Sequence, residues 1–220
     1  MMKTFSLPIG KGTQTVSLDE AHVLYDLHGN PVDAVADEQE AIRQALRHPI
    51  GSAPLKDVVQ AGDTVAIIVS DITRLVHTAQ MLPVIVDELN QAGVRDEQIT
   101  VVTAQGTHRA HTPEEDVTVC GEDMVKRVKV VSHDCRDASQ LTKIGTTTHG
   151  NDVYLDSHVV QADKVILTGA VSFHPMAGFG GGRKAVLPGV ASYETSMRNH
   201  ALALTDTFGG GCKPRCDTSR

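Results

Sequence analysis

The apolar positions of this chain fall in short blocks, each followed by a polar cluster and then by residues at helical spacing. Residues 65–69 (Val-Ala-Ile-Ile-Val) and 99–103 (Ile-Thr-Val-Val-Thr) are runs of the length and bounding expected of strands covered on both faces. Val128, Val130 and Val131 predict a further strand, and Val165, Ile166 and Leu167, bounded by glycine, predict the central one. Between them, Ala41, Ile42, Ala45 and Leu46 give a helix stripe over 37–47, ended by His48-Pro49, and Leu82, Val86 and Leu89 give another. Leu55, Val58 and Val59 suggest one helical turn, and Thr112-Pro113-Glu114-Glu115 opens a helix with a cap and a first-turn proline. Residues 14–17 and 22–25 alternate as strands do, with turns at Gly10-Lys11-Gly12 and Gly29-Asn30-Pro31, and 141–155 reads as a β-hairpin. Strands alternating with helices predict an α/β fold: an open Rossmann-like sheet with helices on both faces and a small β-rich N-terminal and hairpin part.

In such sheets ligands bind at the carboxyl ends of the strands, so the polar tips carry the candidate chemistry. The first tip holds Ser70, Asp71, Thr73 and Arg74, which offer hydroxyls, a carboxylate and a guanidinium fork for a phosphate or carboxylate; helix capping and a surface ion pair are the plainer alternative. The second holds Gly106-Thr107-His108-Arg109, and the third places His174 past the strand at 165–167. His133 and His149 read as bystanders.

Gly178, Gly180, Gly181 and Gly182 then form a loop whose backbone N–H groups can cradle an anion, or simply a flexible connection. It is not a Walker A loop, because Arg183 stands where the second glycine belongs and Ala185 where a magnesium-binding hydroxyl belongs. Lys184, beside Val186-Leu187-Pro188, is either solvated or a nucleophilic attachment point. On the following helix stands His200, read alone as compensating the helix dipole.

At 220 residues the chain suits one α/β domain or one plus a small appendage. The net charge of −7, with no run of Lys or Arg, argues against a nucleic-acid surface. No apolar stretch reaches bilayer length and the N-terminus lacks a signal-peptide core, which predicts a cytoplasmic protein with no membrane partner. Cys120, Cys135, Cys212 and Cys216 are too few and too irregular for a disulfide framework and read as free thiols. A nicotinamide dehydrogenase is disfavoured, since no strand leads into Gly-x-Gly-x-x-Gly with an acidic residue at the expected distance.

Asp71-Ile72-Thr73-Arg74, Gly106-Thr107-His108-Arg109, Ser172-Phe173-His174-Pro175, Gly180-Gly181-Gly182-Arg183-Lys184 and Asn199-His200, in this order, resemble the amino-terminal domain of the nickel-dependent lactate racemase family. The resemblance runs from about Ile9 to Gly211. It implies a nickel-pincer nucleotide, a pyridinium mononucleotide whose sulfur atoms and ring carbon hold nickel. Carried over by motif, Lys184 is the covalent tether, His200 the nickel ligand, and His108 and His174 the acid/base pair. Asp71, Thr73, Arg74, Gly181 and Gly182 bind cofactor or substrate, with Arg74 on either the substrate carboxylate or the cofactor phosphate.

The implied partners are a small 2-hydroxy acid substrate and the proteins that make the cofactor. The implied reaction is racemisation or epimerisation: a histidine takes the hydroxyl proton while hydride leaves Cα for the cofactor, since that Cα hydrogen is too weakly acidic for a histidine to remove. Two bases of near-neutral pKa serve the two enantiomers, and imidazole is a natural nickel ligand. The organisation expected is a cofactor-binding domain over 1–208 and an irregular polar tail over 209–220 in place of the family's second domain. The alternative is an inactive remnant that still binds a nucleotide or anion.

Overall fold

The structure is a computed structural model that describes residues 1–174 and 177–204. Pro175, the tail at 209–220 and the two cysteines within it lie outside the described residues. Residues 1–36 and the chain from Asp37 onward form two compact units, so the stretch 1–208 that the sequence reads as one domain comprises both.

The first unit is an antiparallel hairpin of β1 (Met2–Ile9) and β2 (Gly12–Asp19), paired from Met2↔Asp19 to Ile9↔Gly12. Gly10 makes the reversal at φ 53°, a left-handed conformation that glycine adopts without strain. The strand expected at 22–25 does not form. Residues 20–22 make a single 3-10 turn capped by Asp19, whose carboxylate accepts from Ala21 N–H at 3.1 Å. Beyond it Leu24 and Tyr25 are exposed and unpaired with any described strand, and alternation without a ladder partner does not make a strand.

The second unit begins with α1 (Glu38–Arg47), whose N-cap Asp37 accepts from Glu40 N–H at 3.0 Å, and the single turn α2 (Leu55–Val58). Then come β3 (Val65–Ser70), α3 (Thr78–Gln91), β4 (Ile99–Ala104), α4 (Pro113–Cys120), α5 (Glu122–Arg127) and β5 (Lys129–Ser132). The hairpin of β6 (Leu141–Thr146) and β7 (Asp152–Asp156) follows, then the turn α6 (Ser157–Val160) and β8 (Lys164–Leu167). A two-residue hairpin, β9 (Phe173–His174) with β10 (Gly178–Phe179), and α7 (Tyr193–Ala201) complete it.

The main sheet is parallel, in the order β5-β4-β3-β8. Side chains alternate between its faces. Val65, Ile67, Val69, Ile99 and Val101 pack with Leu82, Val86 and Leu89 of α3, Val119 of α4 and Met124 of α5. Ala66, Ile68 and Val102 face the other way onto Val159 of α6 and Val190. The fold class read from the sequence is therefore the one observed, with one correction of position: β8 is an edge strand of the described sheet, not its centre. Val165 and Leu167 are 41% and 38% exposed, and Ile166 alone of its three apolar residues packs on the core. An apolar run of three reads the same at either place, because pairing is decided by the crossover and not by the strand. Here Thr64 sets it, donating through both N–H and Oγ1 to the Asp163 carboxylate at 2.9 and 2.7 Å.

Ile67 is fully buried in β3, so Ile67→Ala should cost roughly 2–5 kcal/mol. A urea melt should show a lower midpoint at an unchanged m-value.

Candidate active site

Parallel pairing brings the carboxyl ends of β3, β4 and β8 to one edge: Ser70 pairs with Ala104, and Ile68 with Leu167. A cavity of about 670 Å³ opens there. It is walled by Ser70, Asp71 and Arg74 after β3, by 105–108 after β4, by 168–170 after β8, and by Gly180, Gly181, Lys184 and Pro188 of the glycine loop. His174 of the small hairpin and His200 of α7 close it. Of the residues singled out by sequence, His108, His174, Lys184, His200, Asp71, Arg74 and Gly181 line this one cavity, whereas Thr73 and Gly182 do not.

Asp71 is almost fully buried, and both of its oxygens are engaged. Oδ2 lies 2.6 Å from His108 Nδ1, and Thr73 Oγ1 donates to Oδ1 at 2.7 Å. Thr73 thus acts on the site through Asp71. A carboxylate facing Nδ1 keeps the ring hydrogen on that nitrogen and leaves the Nε2 lone pair of His108 open, the arrangement of a proton acceptor.

His174 is held in the opposite sense. Ala177 N–H donates to its Nδ1 at 3.1 Å, which occupies the one lone pair of a neutral imidazole and puts the hydrogen on Nε2. Nε2 stands 3.0 Å from Lys184 Nζ, within hydrogen-bond distance of it. Burial, and then the charge of Arg74, hold Lys184 below the usual lysine range. Burial first, then Lys184, Arg74 and His200, push His174 below its ordinary value, and burial followed by Lys184 does the same for His200. Arg74 has no acidic partner among the described residues.

Gly181 shows why the loop is glycine. At φ 71° any side chain is strained, and a Cβ would lie 2.9 Å from Ala170 O. The loop is pinned by Gly180 N–H donating to Ser172 O at 2.7 Å. Gln105, which the sequence reading passes over, also lines the cavity. Its amide donates to Thr103 Oγ1 and Ser132 Oγ at 2.8 and 3.0 Å, while its buried Oε1 has no partner among the described residues. Its position directly after β4, at the same edge as Asp71, was the available signal. His133 lies outside the cavity and is structural, buried between Asp156 Oδ2 and Ala191 O at 3.0 Å each. Cys120 and Cys135 are buried free thiols, and burial pushes the Cys120 thiol up to about 12. No helix among the described residues is long and apolar enough to cross a membrane.

Fold and cavity together define an α/β domain with an anion-receptive site at its strand ends, holding a desolvated lysine among histidines. The chain belongs to the lactate racemase N-terminal domain family, whose model matches residues 9–209. It is similar to the lactate racemase of Lactiplantibacillus plantarum, 36% identical over 206 residues that cover 91% of this chain and 47% of the relative. The lactate racemase of Thermoanaerobacterium thermosaccharolyticum is 31% identical over 201 residues, covering 90% and 47%. The chain thus spans about half the length of the curated relatives it matches. Among solved structures, the lactate racemase apoprotein of T. thermosaccharolyticum superposes with a TM-score of 0.85 at 28% identity, over 98% of this chain and 52% of that one. A Thermotoga maritima protein at 23% identity and a TM-score of 0.63 shares the fold, over 89% and 47% of the two chains.

With its amine deprotonated at lower pH than an ordinary lysine, Lys184 should outpace the surface lysines in acylation near neutral pH, read by peptide mass mapping. Burial is the larger cause of that depression and the charge of Arg74 the smaller, so labelling at Lys184 should slow in Arg74→Met while staying ahead of the surface lysines.

Proposed function

We propose that this chain is the cofactor-holding part of a racemase or epimerase of a small 2-hydroxy acid, of the lactate racemase type, working with a nickel-pincer nucleotide tethered at Lys184. The observation that carries the reading is the convergence of Lys184, His200, His108 and His174 on one cavity. The residues fit the cofactor. The cavity is of the size that takes a mononucleotide. Arg74, with no carboxylate partner among the described residues, suits a phosphate or a substrate carboxylate. Imidazole is a natural ligand for nickel, and His200, which lines the cavity, is the protein's contribution to holding it.

When bound, the nucleotide supplies nickel and the hydride acceptor that oxidation of a 2-hydroxy acid to a 2-keto acid needs. The chain's own residues do the rest. Lys184 in its amine form is the nucleophile for attachment. His108, with Nδ1–H held by Asp71, presents Nε2 to take a proton from the substrate hydroxyl. His174 is the second acid/base residue, serving the enantiomer that presents its hydroxyl on the other side. The planar fork of Arg74 fixes an anionic group so that the hydroxyl meets these nitrogens.

The test is intact mass and nickel content of the chain purified from cells that make the nickel-pincer nucleotide, followed by assay on each enantiomer of lactate. The expected result is a covalent adduct carrying nickel that is lost in Lys184→Ala and kept in His108→Gln, which abolishes any turnover. An adduct surviving Lys184→Ala overturns the tether. Reversible nucleotide binding without nickel or adduct establishes the binding remnant in place of the racemase.

A further inference from the structure

A second histidine, three residues beyond His108, lies outside the cavity lining. The side chain of His111 is 1% exposed. Its Nε2 accepts the N–H of Ile72 at 2.9 Å, and its Nδ1 lies 2.9 Å from Asp116 Oδ1 on α4. A backbone N–H can only donate, so Nε2 carries the lone pair and Nδ1 the hydrogen, which the Asp116 carboxylate holds. The consequence reaches the site through one peptide unit. The Asp71–Ile72 peptide is held at both ends, its N–H by His111 and its C=O by Arg74 N–H at 3.0 Å. That peptide sets the direction in which the Asp71 side chain leaves the backbone, and hence the aim of its carboxylate at His108 Nδ1.

We propose that His111 is a positioning residue for the acid/base machinery: through the Ile72 N–H it fixes the Asp71 carboxylate, which in turn fixes the tautomer of His108. The inference rests on reading His108 as a proton acceptor. The chain is tied twice here, since His111 N–H also donates to Ser132 Oγ at 3.3 Å, joining the ends of β3, β4 and β5. Neither ring nitrogen of His111 is left for a ligand, which separates its role from that of the cavity histidines.

The test uses this chain labelled with ¹⁵N-histidine and needs neither cofactor nor substrate. The ring ¹⁵N shifts of His108 report which nitrogen carries hydrogen, and its Nδ1–H bound to Asp71 gives a low-field proton resonance. Asp71→Asn supplies the signature of the broken pair. His111→Gln puts an amide oxygen where Nε2 accepts from Ile72, while His111→Asn keeps a donor to Asp116 but cannot reach Ile72. The expected result is a wild-type His108 signature in His111→Gln, and in His111→Asn loss of the low-field resonance with a mixed tautomer, as in Asp71→Asn. Both variants are compared by thermal melt, and a purely structural role would make the signature indifferent to which contact is kept. A wild-type signature in His111→Asn, or loss of the signature in His111→Gln, overturns the proposal. A chain that behaves as expected here yet takes up no nickel adduct overturns the racemase reading and leaves this one intact.

Discussion

The register between β3 and β4 is the constraint on which the site depends. Val65 to Val69 are at most 1% exposed and fill both faces of the sheet, so their backbone groups have no water to turn to and must be met by neighbouring strands. Ser70 opposite Ala104 is the register that meets them while sending Ile67 and Val69 to one cluster and Ile68 to the other. A slip of one residue would exchange those faces and put the bulkier set against the shallow layer formed by α6 and Val190. With the register fixed, Asp71 and His108, 37 positions apart, emerge side by side and meet at 2.6 Å. The Asp71–His108 pair is in this sense a by-product of core packing.

That logic explains what could be read from sequence. Five consecutive apolar residues between Gly62-Asp63 and Ser70-Asp71 are buried whatever the partner, so β3 was legible, as was the rule that its polar tip lies where ligands bind. Thr112 and Pro113 announce the start of α4 by local chemistry, and both halves of the capping box are present. Pairing is not local. The edge position of β8, the two-residue pairing of β9 with β10 and the failure of 22–25 to join a sheet depend on which partner arrives, and no short window of sequence records that. Types of residue were legible and their partners were not: Asp71 reads as a ligand contact, yet its oxygens go to His108 and Thr73. His111 carries no signal of its own, because a loop histidine before a helix cap looks the same whether or not it receives a backbone N–H.

The distribution of charge in the cavity is the remaining step. Among the described residues Asp71 is the only carboxylate lining it, and it is paired with His108. Lys184, His174, His200 and Arg74 line the same space with no further carboxylate among the described residues, and burial, followed by the neighbouring positive charges, disfavours the charged forms of Lys184, His174 and His200. Arg74 alone cannot follow, since a guanidinium stays charged in proteins. The site therefore keeps one fixed positive charge beside a lysine and two histidines whose charged forms are disfavoured. The two histidines differ in which nitrogen bears hydrogen, one facing outward with a lone pair and the other with N–H. Under the proposed function a neutral ring can only take a proton and returns one only as the imidazolium, so a turnover needs one of the pair to carry the extra proton at the outset.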